Sequence, residues 1–412
     1  MSTNGPVALQ NVPAHVPTEL LVDFDLYDPP GADTDFHGAW KALQDRAPDI
    51  VWTTANGGHW IALRGKQISE IFADYERFSS KVIIVPRERG DQIKVKPTTL
   101  DPPVHRPYRA LLNAGLSAKA VRNLEPAIRA LVTSTIETFR ARGHCEFISE
   151  FAEVLPISIF MQMVNLPVGD VRFLKPWADQ INRPDGSMEP DEVMRRFAEY
   201  LQPHVRARRA APGTELLSQI VTGLVNGELL PESEAIELCT QVLIGGMDTV
   251  VSFMGFMMTF LARNPAHRHQ LVADRSLIWP AVDEFLRRFP IVQNGRLVVS
   301  DYVYSGVTMK AGDIVIMPGV LHGLDEREHA DPLTVDFHRK NPAHSTFGNG
   351  AHRCPGAMLA RTELRITLEE WLARIPDFRI MSGKHPVTRG GIVGCVVELP
   401  LQWDVSAPSV AA

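Results

Sequence analysis

The sequence predicts a mostly α fold with small β-sheets (α+β). Three observations carry that expectation. Helical hydrophobic patterning dominates from about Pro107 to Arg209. A second helical tract opens at Pro231-Glu232 and contains a long, mostly apolar stretch, Val242 to Ala262. Short strand-like runs cluster toward the two ends of the chain. At 412 residues and 45% hydrophobic, the chain can bury a large core. Length alone suggests two or three domains. No internal repeat or low-complexity linker divides it, so the expected organisation is an N-terminal arm, 1–35, and one domain over 36–412.

The arm is rich in proline and turn formers and is expected to lie over the surface. From Asp49 to Gly65 the pattern is strand, turn, strand: Ile50-Val51-Trp52, a turn at Asn56-Gly57-Gly58, then Trp60-Ile61-Ala62-Leu63. The helical region up to Arg209 has expected breaks at Pro156, Pro167, Pro184 and Pro190. The tract from Pro231 should end before Pro265. A helix follows around Ile278–Arg288, then strands at Arg296–Val299, Asp301–Tyr304 and Asp313–Met317. Phe337 to Arg353 carries turn formers and no periodicity, which makes it a loop. A last helix spans about Cys354 to Ala373 with Leu364, Leu368, Trp371 and Leu372 on one face, and the ending from Pro376 to Pro400 reads as short strands.

Composition excludes several functions. The net charge of −6 argues against an affinity built on phosphate neutralisation, so no nucleic-acid partner is expected. Val242–Ala262 contains Asp248 and Thr249 and has no basic flank, so it reads as a buried central helix rather than a membrane span. Met1 to Pro17 lacks the basic and apolar regions of a secretory signal, and the cytoplasm is the expected location. Cys145, Cys239, Cys354 and Cys395 are widely spaced, which fits neither a disulfide framework nor a zinc cluster.

One cysteine stands in a special frame. Phe347-Gly348-Asn349-Gly350-Ala351-His352-Arg353-Cys354-Pro355-Gly356 joins the loop to the last helix. A helix N-terminus presents free N–H groups and positive dipole charge, which stabilise a thiolate. Gly356 leaves room for a backbone N–H near the sulfur, and Gly348 and Gly350 let the loop bend beside a flat ligand. A dinucleotide-binding reading fails, because Arg353 stands where a third glycine is needed. The frame F-x-x-G-x-x-x-C-x-G resembles the haem-binding loop of the cytochrome P-450 superfamily of haem-thiolate monooxygenases. The resemblance implies a P-450 fold with haem b held between the central and last helices, and Cys354 as axial ligand to its iron.

Further motifs match that family. Glu284-Phe285-Leu286-Arg287 matches its E-x-x-R pair, whose members share a helix face. Relatives add a basic residue to this pair. Thr334 stands at that place here, which leaves the third partner open. Gly245-Gly246-Met247-Asp248-Thr249 matches the family's acid–alcohol segment. The resemblance gives the glycines and the Thr249 hydroxyl the task of opening the helix over the iron, and Asp248 with water that of relaying protons. The plain alternative is a threonine bonded back to its helix carbonyl with the aspartate paired elsewhere. His105 and Arg109 share a helical face, and with Arg296 and His352 they match the family's partners of the haem propionates.

The likeness is greatest to the bacterial camphor-hydroxylase subfamily and runs from about His59 to Trp403. Its marks include Phe78-Ser79-Ser80, Arg183-Pro184-Asp185-Gly186-Ser187-Met188 and Arg374-Ile375-Pro376-Asp377-Phe378. The subfamily's ketone-binding tyrosine is matched by Ile93 and a nearby aromatic residue by Ile84, so a polar anchor worth about 1 kcal/mol or more is missing. The matched pocket positions Ile83, Ile244, Val292, Ile392 and Val393 are apolar, while Gln241 replaces an apolar residue and offers a substitute polar contact. The implied reaction inserts one atom of dioxygen into a C–H bond of a small apolar cyclic molecule, a terpenoid or ionone-like ketone rather than camphor.

Electrons must come from outside, since the chain has no flavin or nicotinamide motif. The resemblance implies a [2Fe-2S] ferredoxin, itself reduced by a ferredoxin reductase, docking near Arg106, Arg109, Arg339, Lys340 and Arg361. Two basic positions of the camphor enzyme appear as Ser69 and Asn341. The competing functions are a peroxide-driven peroxygenase, against which the intact Asp248–Thr249 pair argues, and a non-catalytic haem-based sensor or ligand carrier.

Overall fold

The computed structural model describes residues 12–405; the first residues of the arm and the last seven of the chain, 406–412, lie outside it. The described chain is about 52% helical, with small sheets, around one hydrophobic core. The longest helical run is Glu232–Met247 continued by Thr249–Arg263. By length and composition Glu232–Arg263 is apolar enough to cross a bilayer, but the protein itself buries it. Helices Val154–Val164, Val171–Asn182 and Pro190–Ala210 pack against its first half. Behind the cysteine, helix Ala357–Arg374 lies along helix Ala118–Phe139. Its Leu364, Leu368, Trp371 and Leu372 are fully buried, and Trp371 meets Phe139, Phe147 and Phe151 edge-on or tilted. Such offset aromatic contacts add to area burial.

The expected hairpin forms from Ile50–Thr53 and His59–Ala62, antiparallel with Trp52 opposite Trp60. It belongs to a six-stranded sheet in the order Leu21–Val22, Ile50–Thr53, His59–Ala62, Ile314–Pro318, Gln293–Val298, Phe78–Ser79. This sheet corrects the picture of a surface arm: Leu21–Val22 pairs parallel with the hairpin, and Phe24 and Leu26 are buried in the core. Pro156 also departs from expectation. It falls in the first turn of Val154–Val164, where a missing N–H costs nothing, so it starts a helix rather than breaking one.

The Glu284–Arg287 pair is fully buried, with bonds of 2.7 and 2.8 Å between the guanidinium and both carboxylate oxygens. The open third partner is Arg339, whose Nε reaches Glu284 Oε1 at 3.3 Å. Thr334 supplies only its carbonyl, 2.9 Å from Arg287. Carbonyls of Gly323 and Pro332 take the remaining guanidinium donors, so the pair welds the segment 323–339 to helix Ile278–Arg288. A buried ion pair is tolerable when its remaining donors are satisfied in this way.

Candidate active site

A cavity of about 330 Å³ opens between the central helix and the start of the C-terminal helix. Gly245, Gly246 and Thr249 come from the former, and Cys354, Pro355 and Gly356 from the latter. Protein surrounds Cys354, yet its surface faces the cavity. The loop before it is closed by Cys354 N–H donating to Phe347 O at 2.7 Å, with Gly348 in the left-handed region. Helix Ala357–Arg374 begins after Gly356, so the cysteine sits just outside the N-terminal turn. Burial pushes its thiol pKa up, against the opposing pull of the Gly356 N–H, Arg109, the Ala357 N–H and Arg353. Donors and cations thus oppose the cost of burying charge on the sulfur, and a facing metal cation would stabilise that charge further.

Four cationic or hydrogen-bonding groups gather beside it. Among the described residues, buried Arg296 forms no ion pair, feels Asp101 only at longer range, and donates to the Gly295 carbonyl at 2.8 Å. Desolvation presses its pKa down to about 10. His105 and His352 lie ring to ring, centroids 4.3 Å apart, and burial lowers their pKa values to about 4 and about 3. Both nitrogens of His105 and Nε2 of His352 are buried without a partner. Arg109 lines the cavity and donates to Asn113 at 3.0 Å and to the Arg353 carbonyl. Unpaired buried donors and an uncompensated cation are costly. A planar cofactor with a thiolate-seeking metal and two carboxylates would satisfy them, and haem b fits this donor set.

The central helix is interrupted at Asp248, whose backbone is non-helical (φ −131°, ψ −40°). The two glycines before it differ. A Cβ on Gly246 would sit 2.3 Å from the Phe160 ring, so packing demands glycine there. A Cβ on Gly245 would meet only Gln241 Nε2 at 3.9 Å, so the protein leaves that space open to the cavity. The Thr249 hydroxyl donates to the Gly245 carbonyl at 3.2 Å, the plain alternative weighed for this segment, and still lies on the cavity wall. Asp248 is buried and points away, held by Arg183 at 2.6 and 2.9 Å, Asn182 at 3.0 Å and Ser252 at 3.2 Å. Arg183 also donates to the Val393 carbonyl, tying three segments together.

Of the expected substrate residues, Ile83, Gln241 and Val292 are on the wall. Ile84 and Ile93 are not: both are fully buried, flanking the short helix Arg87–Gln92. Ile244 is buried off the wall, because it lies about 100° around the helix from Gly245. Ile392 and Val393 form a layer behind Val292, which bridges Val393. Gly350 is likewise off the cavity; its glycine is required because a Cβ would lie 2.9 Å from the Ala73 Cα. Phe347 is on the wall, under the Arg361 guanidinium at 4.7 Å.

The proposed docking residues also separate. Arg106 and Lys340 are exposed, whereas Arg339 is consumed by Glu284 and Arg361 is paired with Asp283 at 3.0 Å. Sequence reasoning missed Phe160, Met163, Thr98, Asn294 and Glu363 on the wall, and the Asn182–Arg183 clamp on Asp248. Asn294 had a usable signal: two residues from Arg296 on one strand, it shares that face. Glu363 is buried without a partner among the described residues, and desolvation raises its pKa to about 8.

A cysteine loop, a broken central helix and a cradle of two arginines and two neutral histidines around one cavity define a haem-thiolate protein. Residues 159–381 match the family model "Cytochrome P450". A curated relative, "Probable cytochrome P450 127A1" of Sinorhizobium fredii, is 33% identical over 95% of this chain and 97% of its own. Among solved structures, CYP101J2 is 44% identical with a TM-score of 0.89, covering 95% of this chain and 99% of that one. Cytochrome P450 CYP101C1 is 39% identical with a TM-score of 0.88, covering 95% and 100%. The chain belongs to the cytochrome P450 family, resembles its camphor-hydroxylase subfamily and takes haem b.

Proposed function

We propose that the protein is a cytoplasmic, ferredoxin-dependent monooxygenase that hydroxylates a small apolar cyclic substrate, a terpenoid or ionone-like ketone rather than camphor. The observation that carries this reading is the meeting, in one cavity, of the Cys354 sulfur with the Gly245 opening and the Thr249 hydroxyl. Haem b bound through Cys354 supplies dioxygen activation, with the thiolate donating electron density that favours O–O cleavage. One oxygen atom enters the C–H bond; the other leaves as water, which requires two electrons and two protons. Thr249 holds a proton-bearing hydroxyl at the cavity wall. Asp248, the residue before it, is bonded to half-buried Arg183, and in this reading protons pass from that side toward Thr249. The apolar wall, including Ile83, Val292 and Phe160, excludes water and selects a hydrocarbon skeleton.

The electron donor in this reading is an acidic [2Fe-2S] ferredoxin, reduced in turn by a ferredoxin reductase. Exposed Arg106, Lys340 and Arg353, with exposed Met358 beside the cysteine loop, offer a positive rim around an apolar contact. The test is spectroscopic and then kinetic. Reduced, carbon-monoxide-bound protein should show the red-shifted band of a thiolate ligand. NADH consumption with a reconstituted ferredoxin system should yield hydroxylated product and fall with added salt. A haem-loaded protein without that band, or turnover driven by peroxide alone, overturns the reading.

A further inference from the structure

Most polar groups on the cavity wall already have work. Arg109, Arg296 and His352 form the cradle of buried donors, and Asn294 shares the Arg296 face of its strand. Ser345 is bonded to His322 and Asn349, Thr346 donates to the Leu286 carbonyl, and Thr249 donates to Gly245. Glu363 belongs to the helix behind the cysteine. The side chains of Asn294 and Glu363 are also unbonded among the described residues, but they stand on the Arg296 strand and on the helix behind the cysteine. That leaves Thr98 and Gln241, each partly exposed to the cavity and each without a side-chain hydrogen bond to those residues.

The fold brings these two to the same part of the wall. Lys96 pairs with Glu234 at 3.5 Å and Glu237 at 3.1 Å, and Tyr108 donates to Glu234 at 2.7 Å, which lays the segment 96–98 along the central helix. Glu237, Gln241 and Gly245 are spaced one turn apart and share a face. The Gln241 carboxamide therefore lies one turn from the Gly245 opening, and its Nε2 borders the space above Gly245.

We propose that Gln241, assisted by Thr98, is the polar anchor that holds the single oxygen function of an otherwise hydrocarbon substrate. The inference rests on the monooxygenase reading and deepens it by naming the specificity-determining residues. A carboxamide and a hydroxyl both donate and accept, so the anchor suits a neutral ketone, ether or alcohol. Among the described residues a carboxylate would find no free cation beside Gln241, since Lys96 is paired with Glu234 and Glu237. Four residues of helix separate Gln241 from Gly245, a rise of about 6 Å. The anchored oxygen and the oxidised carbon thus lie at opposite ends of a molecule about one ring system long. Gln241 on the central helix reaches the wall, while Ile93 is buried off it.

A matched pair of rigid probes tests this: adamantan-2-one and adamantane, titrated into the haem-loaded full chain by the low-to-high-spin absorbance shift. The native protein should favour the ketone by roughly five- to tenfold. Gln241→Met, close in shape but without donors, should bring that ratio to about one while keeping adamantane affinity, and Thr98→Val should lower it partway. Oxidation of the ketone should fall on the cage face opposite the carbonyl in the native protein and scatter in Gln241→Met. A native ratio near one, or a ratio unchanged in both variants, overturns the anchor. If Gln241→Met loses haem, Thr98→Val alone decides between these outcomes. Loss of the thiolate band in the native protein would instead overturn the underlying reading, a separate result.

Discussion

At the scale of single residues, two groups on the cavity wall carry measurable signatures. Glu363 is a buried acid with no counter-charge among the described residues, its pKa raised to about 8 from an ordinary 4.5. A raised acid favours the folded state most where it is protonated. Its contribution is full below about pH 4.5 and is lost as pH climbs to about 8. Glu363→Gln should therefore flatten the decline of urea midpoints over that window, a slope of at most about 1.4 kcal/mol per pH unit. Identical pH profiles for both proteins would show that the acid is paired in solution. Thr249 is the second. Thr249→Ala should keep haem and substrate binding yet divert electrons to peroxide, read as a fall of about tenfold or more in product formed per NADH. Full coupling in that variant would remove the hydroxyl from the proton path. Cys354 was legible in the sequence because a frame of glycines and a following helix surrounds it. Glu363 was not, because nothing local distinguishes a cavity-facing glutamate from the many on exposed helix faces.

At the scale of elements, the break in the central helix is where sequence and structure agree most closely and where they divide. The apolar stretch, the paired glycines and the acid–alcohol pair predicted a special helix, and the structure interrupts it at Asp248. The differing reasons for the two glycines could not be read from the chain, since Phe160 reaches Gly246 from a helix some eighty positions earlier. Gly246→Ala should destabilise by about 1–3 kcal/mol through overpacking against that ring. Gly245→Ala should leave stability unchanged or raised by up to about 1 kcal/mol, since alanine suits a helix better than glycine. It should nevertheless slow carbon monoxide binding to the reduced protein by crowding the opening. Thermal melts and flash recombination separate the two effects; equal destabilisation by both would contradict the geometry. Pocket residues assigned from the linear motif alone fared worst. Ile84, Ile93, Ile392 and Val393 lie in short loops whose side-chain directions are set by tertiary contacts rather than by a repeating period.

At the scale of the whole molecule, the Glu284–Arg287–Arg339 cluster and the Asp248–Arg183 clamp join distant segments into one body. The correction at Arg339 follows from this. An arginine that reads as a surface charge in the chain is half-buried, and its donors are spent on Glu284 and three carbonyls. The opposite case is Arg296, a buried cation with no ion pair among the described residues and only the longer-range pull of Asp101, which carboxylates of a bound haem would compensate further. Removing such a charge relieves the apoprotein while weakening cofactor capture. Arg296→Leu should therefore narrow the gap in melting temperature between haem-free and haem-loaded protein; an unchanged gap would deny Arg296 that role. Beyond the test tube, the same buried cation would link the lifetime of the polypeptide to porphyrin supply. Chains synthesised faster than the cell delivers haem would open more often and be cleared by proteases, so metabolic investment in iron would set how much enzyme survives.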